Sequence, residues 1–268
     1  MWIDTHCHLD ADAFAADREA VLARAREGGV SMMVIPSVEV AAFAAVTQLA
    51  HRHGYAYALG IHPLCTPQAA ESDIERLREA LDAAHDDRRL VAIGEIGLDY
   101  VVEGLDNERQ EWFYAQQLKL AREYRLPVIL HVRRSADGLL KYLNRHDVIG
   151  GIAHAFNGSE DQALRMIARG LRLGYGGAMT YDGSLRIRQL AATLPDDAWV
   201  LETDAPDIPP QWRRRNGVSS RNEPGDLPAM AQVMAGLRGM SLAEVAQTNR
   251  RNACAALPRL AALLEHDT

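Results

Sequence analysis

The sequence predicts an α/β fold, a single (β/α)8 TIM barrel spanning residues 1–268, on three observations. Eight short apolar runs rich in β-formers recur along the chain, and longer stretches of helical pattern separate them. Such alternation implies a parallel sheet, and eight units favour closure into a barrel over an open doubly wound sheet. The length of 268 residues suits a barrel, which typically needs about 250.

The runs are Trp2–Asp4, Met32–Pro36, Tyr55–Ile61, Leu90–Glu95, Pro127–Val132, Gly151–Ala155, Leu171–Tyr175 and Trp199–Thr203. Most are apolar almost throughout, as strands covered on both faces should be. After the first run, Phe14, Val21, Leu22 and Ala25 fall at i, i+7, i+8 and i+11, one face of a helix, and Gly28 with Gly29 stops it. Gly54 ends the helix before the third run. Capping boxes are expected at Ser72…Glu75, Ser159…Gln162 and Ser241…Glu244. The one Pro-rich, charged, irregular stretch, Pro206 to Gly225, follows the eighth run. It reads as a long active-site loop, not a domain boundary, and helical segments close the chain after it.

Composition excludes several classes. A hydrophobic share of 48% and a charged share of 24% are those of an ordinary soluble globular protein. A net charge of −7 argues against coating long duplexes through a broad basic face. It leaves open an enzyme that grips a few phosphates in one pocket, where local charge decides. Cys7, Cys65 and Cys254 are odd in number and widely spaced, which suggests reduced thiols and no disulfide framework. The first ten residues lack the basic and apolar pattern of a signal peptide. No apolar stretch approaches the ~18 residues of a membrane span. A cytoplasmic location is expected, with no membrane association and no obligate protein partner.

The chemistry lies where acids and histidines fall. His6 and His8 end the first run, and i and i+2 in a strand point to one side. Glu95 ends the fourth run, His131 and His154 stand near the ends of the fifth and sixth, and Asp204 ends the eighth. All six occupy the face where TIM-barrel active sites sit. A buried histidine usually just finds a hydrogen-bond partner, but a His/carboxylate cluster at five strand ends is hard to explain as packing. Burying Glu95 and Asp204 without a cation would be costly. His51-Arg52-His53 repeats the spacing at a helix end, where i and i+2 do not face each other. His51, His53, His85, His146 and His266 are therefore read as surface residues. Six ligands are too many for one catalytic ion with an open position, so two divalent metals are expected, sharing a carboxylate at ~3.5–4 Å. The nitrogen-rich set suits Zn or Mn better than Mg alone, with Mg possible on a more open site.

The motifs Asp4-Thr5-His6-Cys7-His8-Leu9-Asp10, Gly60-Ile61-His62-Pro63, Gly94-Glu95-Ile96-Gly97-Leu98-Asp99-Tyr100, Leu126-Pro127-Val128-Ile129-Leu130-His131, His154-Ala155-Phe156-Asn157-Gly158-Ser159, Leu201-Glu202-Thr203-Asp204-Ala205-Pro206 and Arg221-Asn222-Glu223-Pro224 together resemble the TatD family of metal-dependent hydrolases and deoxyribonucleases, in its YjjV-like branch. The resemblance covers essentially the whole chain, in order. It implies a barrel of the amidohydrolase type with a two-metal centre. His6, His8 and Asp204 would hold one ion, His131 and His154 the other, and Glu95 would bridge them. Many relatives carry a second histidine after Gly-Ile-His-Pro, where this chain has Leu64, so a contact made by that histidine has no counterpart here. His62 is expected to touch substrate phosphate rather than metal. The family's activities centre on nuclease action, including removal of nucleotides from 3′ ends of DNA.

The expected reaction is phosphodiester hydrolysis by a metal-activated water, its pKa lowered to about 7, with Asp204 taking the proton and Glu95 bridging. Two dications and two carboxylates leave the centre positive, which favours an anionic substrate, here single-stranded DNA with a 3′ end. Arg133 and Arg134 follow the His131 run, and Arg213, Arg214, Arg215 and Arg221 lie in the long loop. Arg133 and Arg221 are the candidate substrate contacts with His62. Tyr100 and Trp212 offer faces for base stacking, while Tyr181 is read as packing. Two other readings compete: an ester or amide hydrolase, such as a D-aminoacyl-tRNA deacylase, and a non-catalytic metal-binding barrel. The rim arginines favour the nuclease. Asp10 and Asp99 are expected to orient imidazoles. Glu202 is expected to be structural, on the strand side opposite Asp204.

Overall fold

A computed structural model describes residues 1–215 and 218–265, with residues 215, 218 and 219 in backbone only. His266 and the Arg215 side chain, both considered above, lie outside the described residues. Eight strands alternate with helices: β1 (Trp2–Asp4), α1 (Arg18–Glu27), β2 (Val30–Pro36), α2 (Phe43–His53), β3 (Ala56–Leu59), α3 (Asp73–Ala83), β4 (Leu90–Asp99), α4 (Asn107–Glu123), β5 (Val128–Arg133), α5 (Ala136–Leu143), β6 (Gly151–His154), α6 (Glu160–Ala168), β7 (Leu171–Tyr175), α7 (Leu185–Thr193) and β8 (Trp199–Leu201). A short hairpin, β9 (Arg214–Arg215) and β10 (Val218–Ser219), then precedes α8 (Leu227–Arg238), α9 (Leu242–Ala256) and α10 (Pro258–Glu265).

The first eight strands form one sheet in the order β1 to β8, each pair parallel. Every residue of β3, β4, β6 and β8 is buried, as expected where helices cover one face and barrel packing the other. Gly54 takes the left-handed conformation, φ 77°, and closes α2. Ser159 and Ser241 form the expected capping boxes. Ser72 does not: its own backbone is helical and its hydroxyl caps nothing. The Asp73 carboxylate instead accepts the Ala70 N–H at 2.9 Å. The amide that the Ser72 hydroxyl would cap, Glu75 N–H, bonds the Ser72 backbone carbonyl at 3.1 Å.

Side chains close the seam between β8 and β1. Among the described residues no ladder joins these strands, which are only three residues long each. Isolated backbone bonds cross the gap: Thr5 N–H to Leu201 O at 3.2 Å, Asp204 N–H to His6 O at 2.9 Å and His8 N–H to Ala205 O at 2.8 Å. Asn249 of α9, fully buried, accepts the Leu201 N–H and donates to Ile3 O, both at 2.8 Å. The buried Asp4 carboxylate accepts from Thr203 twice, N–H at 2.9 Å and Oγ1–H at 2.5 Å. Burial pushes Asp4 up to about 7 in spite of those bonds.

The loop after β8 carries the β9–β10 hairpin, which the sequence reading left irregular. Its far end is tied back to the start of α1. The Arg221 guanidinium grips Asp17 with two bonds, 2.8 and 2.7 Å, reaches Glu223 at 3.0 Å, and lies over the Phe14 ring. Among the described residues no helix is long and apolar enough to cross a membrane.

Candidate metal centre

The strand ends bring all six expected ligands together. β4 extends to Asp99, so Glu95 lies within the strand, where the β4–β5 register shifts between Ile93 and Ile96. Such an irregularity re-aims a side chain. β4 and β5 run close here: a Cβ on Gly97 would overlap the His131 backbone. The β5–β6 ladder places His131 directly beside His154. His6 and His8 lie just beyond β1, in extended chain held to the β8 end by the seam bonds.

Glu95 is the hub. Its carboxylate is 1% exposed, and its ion-pair partners among the described residues are all histidines. On one oxygen, Oε2, His6 Nε2 sits at 3.1 Å and His8 Nε2 at 3.3 Å, the two nitrogens being 3.1 Å apart. On the other, Oε1, His131 Nδ1 sits at 2.8 Å and His154 Nε2 at 3.9 Å. Asp204 Oδ1 is 3.6 Å from the Nε2 atoms of His6, His8 and His154 alike. The His6 and His154 rings stack at 3.8 Å.

Among the described residues, three groups of donor atoms here have the spacing of metal ligands: His6–His8–Glu95, His62–Glu95–His131 and His6–His154–Glu202. The fit can be tested by geometry. Ligands about 2.05 Å from an ion at tetrahedral angles stand about 3.3 Å apart. The His6–His8–Glu95 edges of 3.1–3.3 Å match. Lone pairs cannot face one another at these distances, so each close pair needs a proton or a cation between its atoms. The same holds for His131 Nδ1 against Glu95 Oε1. Without a metal, protons fill that role. Burial works against a charge on His8, but its bond to Glu95 and the charges of Glu95 and Asp204 raise it to about 9. Burial likewise opposes a charge on His154, yet Asp204 and Glu202 carry it to about 10. His6 is driven well below its ordinary value by burial and by its neighbour His154. Glu95 stays ionised: burial pushes it up, but His62, His6 and His131 hold it well below the usual range. Burial raises Asp204 to about 6. The donor set fits divalent cations in place of these protons.

The group containing His62 is different on closer inspection. His62 Nδ1 accepts the Leu64 N–H at 3.1 Å, so the neutral ring carries its proton on Nε2. That N–H lies 3.3 Å from Glu95 Oε1, a carboxylate oxygen that accepts it, and 3.1 Å from His131 Nδ1, whose one lone pair is left for an ion. A nitrogen bearing a proton cannot ligate, so His62 is a donor poised beside the centre. Burial lowers it below its ordinary value and favours this neutral form.

Two buried carboxylates hold the imidazoles in place. Asp99 Oδ2 lies 3.1 Å from His131 Nε2, as expected, while its other oxygen accepts the N–H groups of Val101 and Val102. Glu202 does for His154 what the sequence reading did not foresee. Its Oε1 takes the Ala155 N–H at 2.6 Å and His154 Nδ1 at 3.0 Å. The reading failed because β8 stops at Leu201, so strand alternation does not govern residues 202–204, and Asp204 has a left-handed φ of 58°. The glycine at 174 was the available signal, since any side chain there would overlap the Glu202 carboxylate. Asp10 orients no imidazole, and its Oδ1 is buried without a hydrogen-bond partner among the described residues.

A cavity of about 1030 Å³ opens over the centre, lined by Glu95, Asp204, His8, His62, His131 and His154 and by Arg133, Arg134 and Arg186 on its wall. Arg133 lies there as expected, 3.6 Å from Asp99. Arg221 does not: it is outside the lining, taken up by Asp17 and Glu223. Arg213 and Trp212 both bond Asp226, and Tyr100 bonds Glu111, so none of these faces the cavity. Tyr181 packs, its hydroxyl donating to Pro209 O at 2.8 Å. Arg186 went unnoticed because one arginine on a helix leaves no pattern in the sequence. His51 and His85 are exposed, as expected, and His146 is half-buried, but the His53 side chain is not a surface group: it is only 7% exposed, facing Glu19 at 3.4 Å.

Comparison with known proteins agrees. Residues 3–258 match the family model described as TatD related DNase. YjjV of Escherichia coli K12, named an uncharacterized metal-dependent hydrolase, is 40% identical over 94% of this chain and 95% of its own length. The protein named 3′-5′ ssDNA/RNA exonuclease TatD in Pantoea sp. At-9b is 32% identical over 87% of this chain and 90% of its own. The crystal structure of Escherichia coli YjjV superposes with a TM-score of 0.89 at 38% identity, covering 96% of this chain and 98% of that one. The chain therefore belongs to the TatD family of metal-dependent hydrolases.

Proposed function

We propose that this hydrolase is a nuclease that cleaves phosphodiesters, removing nucleotides from the 3′ ends of single-stranded DNA at a centre of two divalent ions. The observation that carries this reading is that each oxygen of Glu95 faces its own set of imidazoles. In this reading His6, His8 and Asp204 hold one ion, His131 and His154 the other, and Glu95 spans both. Zn or Mn suits so nitrogen-rich a set. Bound there, a divalent ion polarises a phosphoryl oxygen and lowers the pKa of water.

The chain's own groups do the rest. Asp204, raised to about 6 by burial, accepts a proton from the attacking water at its carboxylate. The Nε2–H of His62 donates to a phosphate oxygen. Asp99 and Glu202 fix which nitrogen of His131 and His154 faces the centre. Arg133, on the cavity wall, pairs with the anionic substrate. The relatives named as exonucleases support the choice of nucleic acid.

The test measures mononucleotides released from a labelled single-stranded oligonucleotide, using metal-stripped protein resupplied with Mg, Mn or Zn. Release that depends on metal and is lost in Glu95→Ala and Asp204→Ala is expected. No release with any metal, from protein shown by elemental analysis to bind two ions, would overturn the reading and redirect the search to carbonyl esters and amides.

A further inference from the structure

The cavity is larger than the centre requires. At about 1030 Å³ it stands at the upper end of ligand sites, roughly 300–1,000 Å³. Three arginines line it. Arg133 already faces Asp99. Arg134, just past β5, and Arg186, on α7, have no carboxylate partner among the described residues, and both line the cavity. The loop arginines Arg213 and Arg221 are by contrast saturated by Asp226, Glu223 and Asp17.

Local stability explains neither residue. Arg134 has a φ of 53°, a left-handed conformation that glycine adopts more readily than a side-chain-bearing residue. Arg186 stands in the first turn of α7, which holds no acidic residue, and the helix dipole disfavours a cation there. Each arginine occupies a position where folding alone favours another residue, and both open onto the same space. In a chain of net charge −7, attraction for a polyanion has to be built locally.

We propose that Arg134 and Arg186 form a second anion subsite, which holds a backbone phosphate of the strand other than the one being cleaved. This rests on the reading of the site as a nuclease. The enzyme is then selective for an oligonucleotide over an isolated phosphodiester. A polyanionic strand bridges the metal centre and the arginine pair, while a small diester reaches the centre alone.

The experiment uses two substrates and two readouts. Fluorescence anisotropy measures binding of a labelled, cleavage-resistant phosphorothioate octathymidylate to metal-loaded protein across a salt series. Hydrolysis by metal-loaded protein is followed on the octamer and on bis(p-nitrophenyl) phosphate. In Arg134→Ala/Arg186→Ala, octamer affinity is expected to fall at least about tenfold, and the salt slope to shrink by about 0.7 per lost phosphate contact. Octamer kcat/KM should fall with it through KM, while hydrolysis of the small diester stays within about twofold of wild type. Arg52→Ala/Arg251→Ala, at exposed residues of α2 and α9, removes the same charge and should change neither. An unchanged octamer affinity and salt slope, equal losses on both substrates, or no octamer binding by the wild type would each overturn the subsite. Wild type that binds the octamer with a slope dependent on the two arginines, but cleaves neither substrate, would overturn the nuclease reading and leave the subsite standing.

Discussion

Asn249→Ala probes how the barrel is closed. Asn249 is fully buried and its amide serves two backbone groups on different strands, the Leu201 N–H of β8 and the Ile3 carbonyl of β1. Alanine keeps the helix and removes both bonds. Each orphaned group costs about 1–3 kcal/mol, so the loss is about 2–6 kcal/mol before any cavity cost. Set against a typical stability of about 5–15 kcal/mol, that is a large fraction, and in a chain of this size it should lower Tm by about 10 °C. Urea unfolding at 25 °C, followed by far-ultraviolet circular dichroism, gives the midpoint and slope needed. The centre should loosen too, because the His6–Asp204 backbone bond lies along the same seam. Asn252→Ala is the comparison: that amide donates to Asp196 O and Trp199 O, both on the β8 side. It should weaken the fold while leaving metal affinity unchanged. A loss below about 1 kcal/mol for Asn249→Ala, less than one orphaned group should cost, would refute the account of closure by side chains.

Two further expectations follow from contacts already described. In Gly174→Ala the new methyl displaces the Glu202 carboxylate and frees His154 Nδ1, so metal affinity measured by competition with a chelating dye should drop about 10–100-fold, and unchanged affinity would rule out a role for Glu202 in holding the ring. The second concerns pH, at a site remote from the centre. Burial pushes Asp87 up, but Tyr57, the Arg89 N–H and His51 together hold it below its ordinary value. A folded pKa below the unfolded value of about 3.9 means that its contribution is complete above that pH and is lost as pH falls through the folded pKa. Asp87→Asn should therefore be less stable than wild type at neutral pH, with the gap in urea midpoint narrowing as pH falls below the unfolded value of about 3.9. A gap of constant size would contradict the assignment.

The parts of the molecule legible in the sequence are those set by local period and residue type. Buried parallel strands are apolar runs, and Ser159…Gln162 is a cap wherever a helix begins, so both could be read directly. His6, His8, Glu95, His131, His154 and Asp204 were legible because strand ends converge in a barrel whatever the details of packing. What remained hidden depends on where elements stop and which partners compete. β8 ends three residues before Asp204, which turned Glu202 inward. Ser72 itself took up helical backbone, and its carbonyl holds the amide its hydroxyl would have capped. Arg221 and Arg186 are both arginines on the rim side of the chain, and only the positions of Asp17 and Glu223 decide that the first is bound and the second open. Such competition involves residues far apart in sequence, and no window of residues contains it.

The seam between the first and last strands also orders events in time. His6 and His8 are made well before Glu202 and Asp204, and the amide that locks the two strands together, that of residue 249, comes later still. A growing or truncated chain can form strands β2 to β7 and still lack a complete centre. A fragment that stops short of α9 therefore lacks the amide that ties the two halves of the centre together.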